Sequence, residues 1–428
     1  MPLNIFVLGL DDPGSSELAA LPNAEQYKFH GLLTFEELQG GVISFEDLLE
    51  ETQEKLDSFS GSIDAIVGYW DFPVSMMVPI LCKKYGLPSK SLEAVVKCEH
   101  KYWSRLEQQK VIEEYPSFAL IDVDDPDATL PTHMSFPVWL KPIKSFSSEG
   151  AHQARNEEEL QDALAIERET PERVGGAFDT VLEMLPLPDD IDAISGGAYM
   201  VEEAAQGKQY TVEGYSHGDQ VVIIGIIDAI NYEQAPSFLR YQYPSKLPEP
   251  VQNKIRDVTR RVISAVRLWD STFNIEYFWD ESSERLVLLE INTRHSQSHS
   301  QLFHRVDGLS NHEAMIDLAL GREPRKPGRD GGYAMAAKWM WRHFSDGIVK
   351  RVPTDEEVAV IEQRYPGTTI EIAVEAGAQL SDADSEDSYS YSLAEIFTAG
   401  DDAEQLQALY EHCRAALDLR VDDIVEGD

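Results

Sequence analysis

A chain of 428 residues, 43% of them hydrophobic, has the length and apolar content for two or three domains with packed cores, which excludes a disordered polymer. Its 76 Asp and Glu against 36 Lys and Arg leave a formal net charge of −40, so nucleic acid and anionic membrane surfaces are poor partners. Cys82, Cys98 and Cys413 make neither a disulfide framework nor a metal-ligand spacing, and no apolar run reaches the ~18 residues that span a bilayer, so a cytoplasmic protein is expected.

Residues 1–97 read as an α/β unit. Leu3 to Leu8 and Ile63 to Tyr69 are predicted strands, Glu46 to Phe59 a helix, and Pro73 to Lys84 a second helix with Asp71 as its N-cap and Gly86 ending it. The turn after the first strand, GLDDPGSS, lacks the spaced glycines of a dinucleotide fingerprint. Cys98 to Lys110 (CEHKYWSRLEQQK) reads as one helix with a charged, solvated face.

Phe136 to Gly150 (FPVWLKPIKSFSSEG) is a short apolar strand, then Lys141, then a Ser-rich loop containing Ser148. Backbone N–H groups and hydroxyls on a loop, with a Lys as counter-charge, suit a polyphosphate. Tyr199 to Asp228 reads as three strands, the first ending in a Gly turn, and Pro250 to Trp269 as an amphipathic helix with Ile255, Val258, Val262, Ala265 and Val266 on its apolar stripe.

That helix leads into a hairpin: a strand through Glu276, a polar turn at Asp280 to Glu284, and a strand from Arg285 to Asn292. With the turn centred near Ser283, residues whose numbers sum to about 566 lie opposite each other, which sets Glu276 against Glu290. Asn292 shares the face of Glu290. Like charges opposed across a ladder destabilise it, so the pattern asks for a cation, and two carboxylates with an amide oxygen suit Mg²⁺, with Mn²⁺ an acceptable substitute. Arg294 adds a fork that fits a carboxylate or phosphate.

At these residues the sequence resembles the ATP-grasp superfamily, whose signature is a Glu on one strand and Glu-x-Asn-x-Arg on the next. The resemblance implies that Glu276, Glu290 and Asn292 hold Mg²⁺ ions bridging the phosphates of ATP, with Arg294 at a reacting acyl phosphate. It further implies Lys101, followed four residues on by Arg105, at the α-phosphate, and Lys141 and Ser148 at the phosphate-covering strand and loop. VEEAAQGKQYTVE, starting at Val201, is similar to the family's adenine segment, which implies the adenine edge near Glu202, Glu203 and Ala205 and the ribose near Gln209. Gln stands there where the family has Glu, so weaker nucleotide binding is expected.

The implied fold is an N-terminal Rossmann-like domain (1–97), an ATP-grasp core (98–323) and a small C-terminal α+β domain (330–428), in an α/β and α+β class. In that last unit Tyr333 to Trp341 and Thr368 to Val374 are predicted strands and Ala403 to Leu417 a helix. The implied activity is an ATP- and Mg²⁺-dependent ligase that activates a carboxylate as an acyl phosphate and joins it to an amine. A homodimer fits the family habit. The carboxylase branch carries a Glu four residues after the Arg, where this chain has Ser298, followed by His299, which is expected near the substrate. A bicarbonate-using carboxylase is therefore the lesser alternative, and a non-catalytic nucleotide-binding protein the other.

Overall fold

The computed structural model describes residues 2–145, 149–170, 173–382 and 389–424. Near the N-terminus, β1 (Leu3–Leu8), β2 (Tyr27–Leu32) and β3 (Ala65–Val67) form a parallel sheet in the order β2-β1-β3. β1 is buried from Ile5 to Leu8, as a parallel strand covered on both faces must be. The predicted helix after β3 spans Val74–Tyr85 and ends at Gly86, whose φ of 69° suits a residue without a Cβ. Its predicted N-cap is a correction: Pro73 caps it, and the Asp71 carboxylate is engaged elsewhere.

A four-stranded antiparallel sheet follows, β4 (Phe118–Ile121), β5 (Val138–Pro142), β6 (His152–Ala154) and β7 (Tyr199–Glu203), in the order β4-β7-β5-β6. The single helix expected over Cys98 to Lys110 is two, Leu92–Glu99 and Lys101–Gln109. His100, extended at ψ 95°, breaks the run and accepts from the Trp103 N–H at 3.1 Å, and this cap puts Lys101 at the first position of the second helix. That helix carries no solvated charged face throughout either: Arg105 is only 3% exposed.

β8 (Lys208–His217), β9 (Gln220–Asn231), β10 (Phe238–Tyr243), β11 (Ser271–Asp280), β12 (Arg285–Asn292) and β13 (Met335–His343) build the large sheet. The chain continues through β14 (Gly347–Arg351), β15 (Thr369–Ile372), β16 (Tyr391–Gly400) and β17 (Arg420–Asp423). Eight strands run β12-β11-β8-β9-β10-β13-β16-β15, so strands of the C-terminal segment continue the sheet that carries the hairpin, while β14 and β17 pair apart. The amphipathic helix, Glu249–Val266, buries Ile255, Val258, Val262 and Val266 against Val212, Phe273 and Leu288.

The hairpin strands stand where the alternation puts them, and Glu276 faces Glu290. The route to that pairing differs from a regular ladder. From the turn to Tyr277 the pairing is Asp280 with Arg285, Trp279 with Leu286 and Tyr277 with Leu288. An uninterrupted ladder would set Glu276 against Leu289. A β-bulge at Leu289 shifts the register by one, and its carbonyl accepts from Arg105 Nη2 at 2.6 Å.

Candidate active site

The two hairpin carboxylates lie opposite each other on neighbouring strands, both half-buried. Burial, then the charge of Glu290, pushes the Glu276 carboxyl up to about 7. A divalent cation between them would remove that penalty, and Asn292, whose Nδ2 donates to Asn274 Oδ1 at 3.3 Å, has its own Oδ1 to offer one. Among the described residues no three or more His, Cys, Asp and Glu gather as a metal site, so an ion here would draw its remaining ligands from water and substrate oxygens. That donor set fits Mg²⁺, which keeps waters and shares phosphates.

Cations surround this pair. Lys101 Nζ stands 3.6 Å from Glu290 Oε1 and donates to the Ser145 carbonyl at 2.9 Å. Burial holds its ammonium below the usual lysine range; Glu290 offsets this in part, and Lys144 and Lys141 press the same way as burial. Crowded ammonium groups of this kind are relieved by an anion. Lys141 Nζ bonds Glu202 Oε2 at 2.9 Å, and Arg105 Nε bonds Glu202 Oε1 at 2.7 Å. Burial works against the Glu202 carboxylate, yet Arg105 and Lys141 outweigh it and hold it at about 2.

Arg294 is gripped from the N-terminal unit by Asp71, Nε to Oδ1 at 2.8 Å and Nη2 to Oδ2 at 2.6 Å. Burial opposes both charges, and each partner outweighs it in the other: the Asp71 carboxyl is held below its usual range and the Arg294 guanidinium above. A cleft of about 130 Å³ opens beside them, lined by Gln209, Tyr241, Glu276, Arg294, Ser296 and His299. Gln209 Nε2 donates to Glu276 Oε2 at 2.8 Å, so its amide serves a hairpin carboxylate in this arrangement.

The sequence-predicted residues thus fall into two groups. Lys101, Gln209, Glu276, Glu290, Asn292, Arg294 and His299 lie around the hairpin and its cleft. Glu202 and Lys141 form the buried pair next to it, Glu203 is held at the rim by Arg285 at 2.6 and 2.8 Å, and Ala205 is half-buried between β7 and β8. Ser148 lies outside the described residues.

Sequence reasoning gave Asp71 only a capping role and passed over Glu213 and Glu99. Glu99 joins Lys144 (2.7 Å), Ser75 (3.0 Å) and Thr293 (2.8 Å), tying the first unit to the residue before Arg294. For Glu213 a signal existed: Gln209, Thr211 and Glu213 alternate with Tyr210 and Val212, and their face continues that of Glu276 and Asn274 in the next strand.

Residues 134–300 match the ATP-grasp domain family. Over the whole chain, the crystal structure of L-amino acid ligase from Bacillus licheniformis superposes with a TM-score of 0.72 at 14% identity, covering 99% of both chains. The chain has the ATP-grasp fold. The ATP complex of biotin carboxylase from Campylobacter jejuni shares that ATP-grasp architecture (TM-score 0.68, 13% identity, 97% of this chain and 92% of that one). So does phosphoribosylglycinamide synthetase from Anaerococcus prevotii (0.65, 12%, 99% and 100%). In sequence, the chain is 24% identical over 249 residues to an uncharacterised protein of Sinorhizobium fredii, a match spanning 57% of this chain and 46% of that protein. Two of these structural neighbours are named a ligase and a synthetase, and at 12–14% identity the likeness establishes the fold. No helix among the described residues is long and apolar enough to cross a membrane.

Proposed function

We propose that the protein is an ATP- and Mg²⁺-dependent ligase that phosphorylates a small carboxylate and joins the resulting acyl phosphate to an amine, releasing ADP and phosphate. The observation that carries this reading is the Glu276–Glu290 pair, opposed across one ladder and flanked by Lys101, Lys141 and Arg294. Glu276, Glu290 and Asn292 would hold the metal, which when bound neutralises charge on the phosphate chain. Lys101 and Lys141 supply counter-charge to phosphate oxygens, and the backbone near Glu202, Glu203 and Ala205 is the proposed adenine edge. Arg294, its plane fixed by Asp71 and its Nη1 donating to the His295 carbonyl at 3.3 Å, lines the cleft where the acyl phosphate would form.

Ser298 supports an organic carboxylate over bicarbonate as the acid that is phosphorylated. It occupies the position at which a carboxylase places a carboxylate, and its hydroxyl is held by Lys338 Nζ at 3.0 Å. A homodimer in the cytoplasm completes the proposal, the assembly being open to light scattering.

The test is release of ADP and phosphate from Mg·ATP with pooled L-amino acids and small carboxylates, with mass spectrometry for a new amide. ADP together with an amide mass is the expected result. AMP and pyrophosphate would overturn the acyl-phosphate route, and ATP binding without turnover in any pool would favour a non-catalytic nucleotide binder.

A further inference from the structure

Glu213 is a wholly buried carboxylate on β8 that none of the phosphate, metal or carboxylate roles above uses. It accepts from Asn274 Nδ2 at 2.9 Å, the Ser296 N–H at 2.8 Å, His299 Nδ1 at 2.9 Å and Asn311 Nδ2 at 3.4 Å. Because a carboxylate only accepts, it places the proton of a neutral His299 on Nδ1 and leaves Nε2 as a bare lone pair. Among the described residues that nitrogen has no hydrogen-bond partner, although His299 is only 3% exposed, and the ring lines the cleft shared with Glu276 and Arg294. The Tyr241 ring meets the imidazole edge-to-face at 4.9 Å, which fixes its plane from the other side. A buried acceptor left bare is costly, so the arrangement calls for a donor from the cleft.

We infer that His299, oriented by Glu213, is the group that binds the amine substrate and takes its proton, with Glu213 as a positioning residue. This rests on the ligase reading and adds the acceptor subsite to it. The ammonium gives one proton to His299 Nε2, and the freed lone pair attacks the acyl carbonyl. The C–N bond forms as the C–O bond to phosphate breaks, and the departing phosphate takes a second proton. Acyl phosphate and ammonium thereby become an amide, hydrogen phosphate and one proton held on His299. Asn274 links the same Glu213 to Asn292, so the metal side and the amine side are set by one buried carboxylate.

The experiment uses the full chain, Mg·ATP and the twenty L-amino acids as a pool, and measures amide alongside the hydroxamate formed when hydroxylamine is added. Hydroxylamine is uncharged at neutral pH and needs no base to attack. His299→Gln and Glu213→Gln are expected to lower amide formation about a hundredfold more than hydroxamate formation. A wild-type amide-to-hydroxamate ratio in both variants would overturn the inference while leaving the ligase reading intact. Neither product from the wild-type protein would overturn both. Should Glu213→Gln fail to fold, two-bond ¹H–¹⁵N spectra of the wild-type protein, with the His299 signal assigned by its loss in His299→Gln, decide the point. A proton on Nδ1 supports the inference, and one on Nε2 sinks it.

Discussion

Arg294 and Asp71 form a two-pronged ion pair at 2.8 and 2.6 Å across 223 residues of sequence. It joins the loop after β3 to the end of the hairpin, so the guanidinium that lines the cleft is set from the N-terminal unit. Asp71→Ala should cost roughly 1–3 kcal/mol, measured by urea unfolding, since the pair is only partly buried and one charge is left behind. Activity should fall further than stability because the fork loses its plane. Arg294→Lys, which keeps the charge without the fork, should be nearly as inactive. Wild-type turnover in either variant would show that the pair is only a domain clasp.

The opposed carboxylates predict a particular response to neutralising one of them. Glu290→Gln should lower ADP formation about a hundredfold or more by weakening metal and transition-state binding. The metal-free fold at pH 8 should change little in stability, because the like charge removed from beside Glu276 is offset by the counter-charge lost from Lys101. Thermal melts with and without Mg²⁺ would read both effects, the expected pattern being loss of the Mg²⁺-induced rise in Tm.

Glu276 sets a pH dependence. Its carboxyl is pushed up to about 7, above the unfolded value, so the proton it binds favours the fold below that pH. As pH rises from the ordinary carboxylate range through 7 the metal-free protein loses that contribution. A cation must displace the same proton, so apparent Mg²⁺ affinity should be about tenfold weaker at pH 6 than at pH 8. Calorimetric titration with Mg·ATP at the two pH values checks it, and equal affinities would place the first metal contact elsewhere.

Arg105 should behave as a structural residue of high consequence. It is 3% exposed and satisfies both Glu202 and the bulge carbonyl of Leu289. Arg105→Met should destabilise by about 3 kcal/mol, the cost of leaving Glu202 with Lys141 alone. Arg105→Met/Glu202→Gln should recover part of this by denaturant unfolding, yet not the activity, since the bulge would still lack its donor. Full activity in the double variant would separate the bulge from the spacing of the carboxylates.

Much of this was legible in the sequence because strand alternation is local. The polar face of β11 and β12, the turn at Asp280 to Glu284 and the limits Leu3–Leu8 and Arg285–Asn292 follow from period-two patterning within a few residues. The pairing of Glu276 with Glu290 was legible too, although its cause was not. A bulge at Leu289 is stabilised by Arg105, whose partner carbonyl lies 184 residues away, and no local pattern encodes such a contact.

The sequence by itself determined most of the elements and the alternation that puts Glu276, Glu290 and Asn292 on one face of the hairpin, because side-chain chemistry and strand period are properties of short segments. It misjudged Cys98 to Lys110, where a single helical period hid the cap at His100, and it assigned Asp71 to a helix cap that Pro73 fills. Only the tertiary structure decided which distant groups meet: Asp71 with Arg294, Glu202 with Arg105 and Lys141, Glu213 with His299. Charges and hydrogen bonds act through space over a few ångströms, and packing alone sets which residues come that close.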